Sequence, residues 1–157
     1  MLQLLMLLLI VVGTYGGLTW LNAASQRVNL SKSLRGRLSL AFLFVFTGMS
    51  HFFMPAEMAQ MLPSIMPFRV EIIYVTGVLE ILGAIGLLIP RLTRLASLAL
   101  IVFLMGVLPA NIYSAITYVD FGAHNLGPVY LLVRVPFQAF LIWWAYYFGV
   151  RTPLESR

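Results

Sequence analysis

Long apolar runs alternate with short polar connections along this chain, and five of the runs approach the ~20 residues a helix needs to cross the hydrocarbon of a bilayer. They extend roughly from Leu2 to Leu21, Leu38 to Met54, Val70 to Ile89, Leu95 to Tyr118 and Val129 to Val150. Helix breakers separate them: Pro55, Pro63 and Pro67 follow the second run, Pro90 follows the third, and Gly122, Gly127 and Pro128 precede the fifth. The pattern predicts an all-α membrane protein. Its expected organisation is an N-terminal transmembrane helix over residues 1–22, a basic connection over 23–37, a bundle over 38–150 and a tail over 151–157.

Charge sets the direction. Arg27, Lys32, Arg35 and Arg37 follow the first run, Arg91 and Arg94 the third, and Arg151 and Arg157 the fifth, whereas the second connection holds Arg69 and the fourth holds no basic residue. Cytoplasmic loops carry the excess of Lys and Arg. Alternate connections are therefore cytoplasmic, with the N-terminus outside and the C-terminus inside a cell inner membrane. Trp143, Trp144, Tyr146 and Tyr147 mark the inner interface, and Phe52, Phe53, Tyr113, Tyr118 and Tyr130 the outer one. The first run is read as a retained helix, because basic residues follow its apolar stretch where a signal peptide places them before it. Gly13 and Gly17, four apart on this helix, offer a smooth face for packing.

Composition narrows the chemistry. The 157 residues are 61% hydrophobic, and the net charge of +5 resides mainly in connections, where it orients the chain and recruits no nucleic acid. With no cysteine, disulfides and thiol redox chemistry are excluded. Two histidines are too few for a structural zinc site, so no metal site is expected; Asp120 and His124 are read as solvated loop residues.

The informative residues are the polar ones inside apolar runs. His51, Glu80, Asn111, Arg134 and Gln138 each cost several kcal/mol unless they meet one another or water. At ~1.5 Å rise per residue, all five fall in the outer half of the bundle, with Glu80 nearest the midplane. Arg134 and Gln138 share one helix face, and Thr76, Gly77, Gly83 and Ala84 share the face of Glu80. Pro109 frees a carbonyl one turn back, near Met105, and predicts a kink below Asn111. The simplest pairing is a buried ion pair between Glu80 and Arg134, with His51 as a proton carrier and Asn111 and Gln138 as hydrogen-bond partners.

The strings GMSHFFMP, MLPSIMP, TGVLEILGAIGLLIP, LPANIYSA and LVRVPFQ together resemble the DoxX-like family of membrane proteins. That resemblance covers roughly Leu38 to Gly149 and implies a four-helix bundle with His51, Glu80, Asn111, Arg134 and Gln138 as its polar positions, to which this chain adds the helix from Leu2 to Leu21. It further implies a link to sulfur, quinone or oxidative-stress complexes. Two functions follow as expectations. The first is binding of a small hydrophobic molecule, a quinone or lipid-like compound, in the polar pocket. The second is an accessory or assembly subunit, in which the polar cluster is structural glue and the partner is a redox or other membrane protein or a second copy. No cofactor other than a quinone is indicated, and whether a reaction is catalysed stays open.

Overall fold

The computed structural model describes residues 2–25 and 29–152. Arg27, Glu155 and Arg157 lie outside the described residues. The regular elements among the described residues are all helical: α1 (Leu2–Ala24), α2 (Lys32–Phe53), a short α3 (Pro55–Ala59), α4 (Arg69–Leu88), α5 (Thr93–Ile116), a 3-10 segment His124–Tyr130, α6 (Leu131–Tyr146) and a closing π turn Tyr147–Arg151. Five helical stretches are long and apolar enough to cross a membrane, the last running from His124 to Arg151.

α2 is the central helix. It packs on α1, α4 and α6, while α4, α5 and α6 follow one another around it and α1 closes against α6. Leu40, Leu43 and Phe44 of α2 meet Leu87 of α4, Leu100 and Leu104 of α5, Leu141 and Trp144 of α6 and Val11 of α1 in one continuous core. The outward faces are apolar as well: Val75, Leu79 and Leu82 of α4 and Leu95, Val102 and Met105 of α5 are exposed. So large an apolar exterior is stable against lipid and unstable against water. α2 is the least apolar of the five because its neighbours are protein, and its serines can satisfy themselves on nearby carbonyls, as Ser33 does on Phe148 at 2.9 Å and Ser39 on Gly36 at 2.9 Å.

The helix α2 starts at Lys32, upstream of the Leu38 expected from hydropathy, because Ser31 caps it by accepting from the Leu34 amide at 3.1 Å. Lys32, Arg35 and Arg37 are thus helical, and the connection is shorter than expected. Arg37 is buried. Its Nη1 donates to Leu87 O at 3.3 Å and to Thr93 Oγ1 at 2.9 Å, and its Nε to Ser33 O at 3.4 Å. A guanidinium from α2 therefore closes the C-terminal carbonyls of α4, where a cation also complements the helix dipole. Lys32 reaches Tyr147 Oη at 3.3 Å and Arg35 lies over Tyr15, so the basic residues and the aromatic end of α6 share one end of the bundle.

α2 and α4 approach most closely at Gly48 and Gly77. A Cβ on Gly77 would stand 2.7 Å from His51 Cβ and 3.0 Å from Gly48 O. Gly83 and Gly86 do the same for α5, against Leu100 and Ala96. The small residues around Glu80 thus serve helix packing. Gly13 and Gly17 do not: no atom lies within 4 Å of a Cβ built on either, nor on Gly16, so the expected packing face of α1 has no partner helix in this fold. α5 runs as one helix through Pro109.

Candidate functional site

A cavity of about 520 Å³ opens between α1, α2, α5 and α6 at the end of the bundle away from the basic residues. Leu4, Leu7, Phe44, Phe103, Phe137 and Leu141 form much of its wall. Gln3, Thr47, Ser50, His51, Glu80, Asn111, His124, Tyr130 and Arg134 supply polar groups, and Glu57 and Asp120 are exposed carboxylates at its margin.

One polar group is anchored on the α2–α4 contact. His51 Nδ1 lies 3.0 Å from the carbonyl of Ile73, which can only accept, so Nδ1 carries the hydrogen; this assigns the tautomer by its partner. Thr76 Oγ1, 3.0 Å from the same nitrogen, donates to Ile73 O at 2.8 Å and steadies the arrangement. The opposite nitrogen, Nε2, therefore faces Glu80 Oε1 at 3.5 Å with a lone pair unless a proton joins them. Thr47, one turn before His51, donates to Glu80 Oε2 at 2.5 Å. Glu80 is thus held from α2 by two side chains, Thr47 on Oε2 and His51 on Oε1.

Arg134 stands apart from this pair. Its Nε is shut off from solvent without a hydrogen-bond partner, and among the described residues it makes no ion pair. The expected Glu80–Arg134 ion pair is therefore corrected: the close geometry of α2 and α4 gives the acid to His51 and Thr47. Glu80 and Tyr130 still lie near enough to act on the Arg134 charge through space.

Asn111 is buried on the cavity wall, its Nδ2 donating to Val107 O of its own helix at 3.0 Å. Gln138 is 2% exposed and does not line the cavity. Its Nε2 donates to Leu104 O and ties α6 to α5, leaving Oε1 buried without a partner. So the structure gathers His51, Glu80, Asn111 and Arg134 around one space and sets Gln138 behind its wall.

His124 corrects the reading as a solvated loop residue. It is 4% exposed, donates from Nδ1 to Phe121 O at 2.7 Å and packs edge-on to Tyr130 at 4.5 Å. The signal for it is a spacing of three. His124, Gly127 and Tyr130 are the buried residues of the 3-10 segment, where positions three apart eclipse. Gly127 at φ 68° bends the chain, and a Cβ there would run into the Tyr118 ring. Among the described residues, no group of three or more His, Cys, Asp or Glu could hold a metal ion.

The fold and this cavity define a helical membrane-protein class with a mostly apolar, polar-tipped pocket. The chain belongs to the family described as Domain of unknown function (DUF8561), whose model matches residues 40–149. That match overturns the resemblance to DoxX-like proteins, since the motifs quoted for it all lie within the region the DUF8561 model covers. Neither the curated proteins nor the solved structures contain a match. The family model includes His51, Glu80, Asn111, His124, Tyr130 and Arg134 and excludes α1, which nonetheless supplies Gln3, Leu4, Met6 and Leu7 to the wall.

Proposed function

We propose that this protein is a multi-pass protein of a cell inner membrane that binds a small hydrophobic molecule carrying oxygen functions, a quinone or a lipid-like compound, in this cavity. The observation that carries the reading is Arg134: a cation on the wall of a mostly apolar space that makes no hydrogen bond or ion pair among the described residues. Ligand pockets have this character, a mostly apolar lining of ~300–1,000 Å³ with few convergent polar groups. Arg134 donates to a ligand oxygen, Asn111 borders it, and the His51–Glu80 pair holds the proton that a bound oxygen can give or take. The clustering of Lys32, Arg35 and Tyr147 at the far end supports the orientation, with that end cytoplasmic and the cavity in the outer half.

The test is native mass spectrometry of the purified protein with lipid and quinone extraction. A co-purifying mass that Arg134→Met loses while the protein still runs as a folded monodisperse species is the expected result. Absence of any bound species from the parent would remove the reading. The second function, an accessory subunit, draws support from the open Gly13, Gly16 and Gly17 face of α1. It predicts instead that bulky substitutions on that face abolish a partner complex and that cavity substitutions leave it intact.

A further inference from the structure

We infer that the molecule this cavity takes is a single-chain amphiphile whose head is an oxyanion, a carboxylate or a phosphate monoester, seated on Arg134. The inference rests on the pocket reading above and names its ligand class.

The argument is one of charge. Glu80 is engaged from α2 by His51 at 3.5 Å and Thr47 at 2.5 Å, and forms no ion pair with Arg134. His124 is held by a backbone carbonyl through Nδ1 and brings no carboxylate to Arg134. Glu57 and Asp120 are exposed, and neither makes an ion pair with Arg134. Arg134 therefore brings to the cavity a positive charge that makes no hydrogen bond or ion pair among the described residues. An unpaired ion in an apolar interior is held at a cost of several kcal/mol, which a neutral ligand leaves in place and an anionic one removes. A guanidinium also presents its donors as a fork that matches the paired oxygens of a carboxylate or phosphate.

The rest of the wall selects the tail. Leu4, Leu7, Phe44, Phe103, Phe137 and Leu141 offer apolar contact and no hydrogen-bonding side chain. About 520 Å³ is room for one alkyl chain. The exposed carboxylates at the margin disfavour a second anionic group there, so the head belongs inside and the tail follows the aliphatic wall.

The experiment uses the full chain in a neutral maltoside detergent and measures binding of dodecanoate, dodecyl phosphate, dodecanol and a decyl-substituted benzoquinone by thermal shift and native mass spectrometry. The acids should bind roughly tenfold or more tightly than the alcohol of the same chain, the scale of one charge-assisted hydrogen-bonded contact. The tighter of the two acids identifies the head as carboxylate or phosphate. Arg134→Met should erase the preference and Arg134→Lys should retain it; the comparison within the parent protein stands even if the first variant fails to fold. Alcohol or quinone binding as tightly as both acids overturns the oxyanion inference and leaves the pocket reading intact. Acid preference that survives in a folded Arg134→Met also overturns it. Binding of none of the four overturns both readings.

Discussion

Nε2 of His51 stands 3.5 Å from Oε1 of Glu80, while the other ring nitrogen is fixed on the carbonyl of Ile73, one helical turn before Gly77. The acid is thus held by α2 through two side chains on one helix face, Thr47 and His51. Glu80→Gln keeps a donor for His51 Nε2 and an acceptor for Thr47, so it should cost only about 1 kcal/mol. Glu80→Leu strands His51 and Thr47 and should cost about 3 kcal/mol or more. Reversible unfolding in mixed micelles measures both. Equal losses would show that the pair does not hold α2 to α4.

Arg134 leads to a prediction of opposite sign. With no hydrogen bond or ion pair among the described residues, its charge destabilises the empty protein, so Arg134→Met should raise the stability of ligand-free material by about 1–3 kcal/mol. The same unfolding titration on delipidated protein checks it. A loss of that size would mean that Arg134 has a partner in the folded protein after all.

The Gly48–Gly77 contact is sensitive to a single methyl group. Gly77→Ala places a Cβ 2.7 Å from that of His51 and should cost about 1–3 kcal/mol, with the His51–Glu80 pair separating as the helices part. Gly16→Ala meets open space on α1 and serves as the control, with no measurable loss. Thermal denaturation of the two variants side by side is sufficient.

Arg37 is expected to behave as a core residue despite its charge. Arg37→Met removes the donor to Leu87 O and Thr93 Oγ1 and should cost about 1–3 kcal/mol. Arg91→Met, at an exposed position of the neighbouring turn, should be nearly silent in the same assay.

Orientation can be read directly because the chain has no cysteine. Ser25→Cys should react with membrane-impermeant maleimide only from the cytoplasmic side, and Asp120→Cys only from outside. Asp120 is the better probe of its loop than Gly122, whose φ of 62° resists a side chain. Labelling of both from one side would remove the five-span topology.

Hydropathy placed the five helices to within a few residues because lipid-facing side chains must be apolar whatever the interior does. The amphipathic detail was less legible. Polar depth alone pairs Glu80 with Arg134, as helical rise sets both at similar expected depths. Depth carries no information about which helix lies against which, and it is Gly48 opposite Gly77 that sets α2 against α4 and delivers His51 to the acid. Gln138 shares a face with Arg134 in the sequence, yet Leu104 O lies close enough on α5 to capture its amide and leave it off the wall. His124 was hidden because its neighbours are polar and glycine-rich, which reads as solvated loop. The period-three burial that exposes it belongs to a 3-10 segment too short for a hydropathy window.

The wall of the cavity joins the two ends of the chain. Leu7 of α1 and Leu141 of α6 both face it, and below them Tyr15 meets Trp144 edge-on at 5.4 Å. The contacts that complete the site are therefore among the most remote in sequence that the fold makes, and non-local contacts form late because their loop-closure entropy comes first. A nascent chain that has exposed α1 through α5 already has α2 against α1 but lacks Tyr130, Arg134 and Phe137 of the lining. The cavity comes into existence with the final helix, so any truncation ahead of α6 leaves four of the five spans and no complete cavity wall.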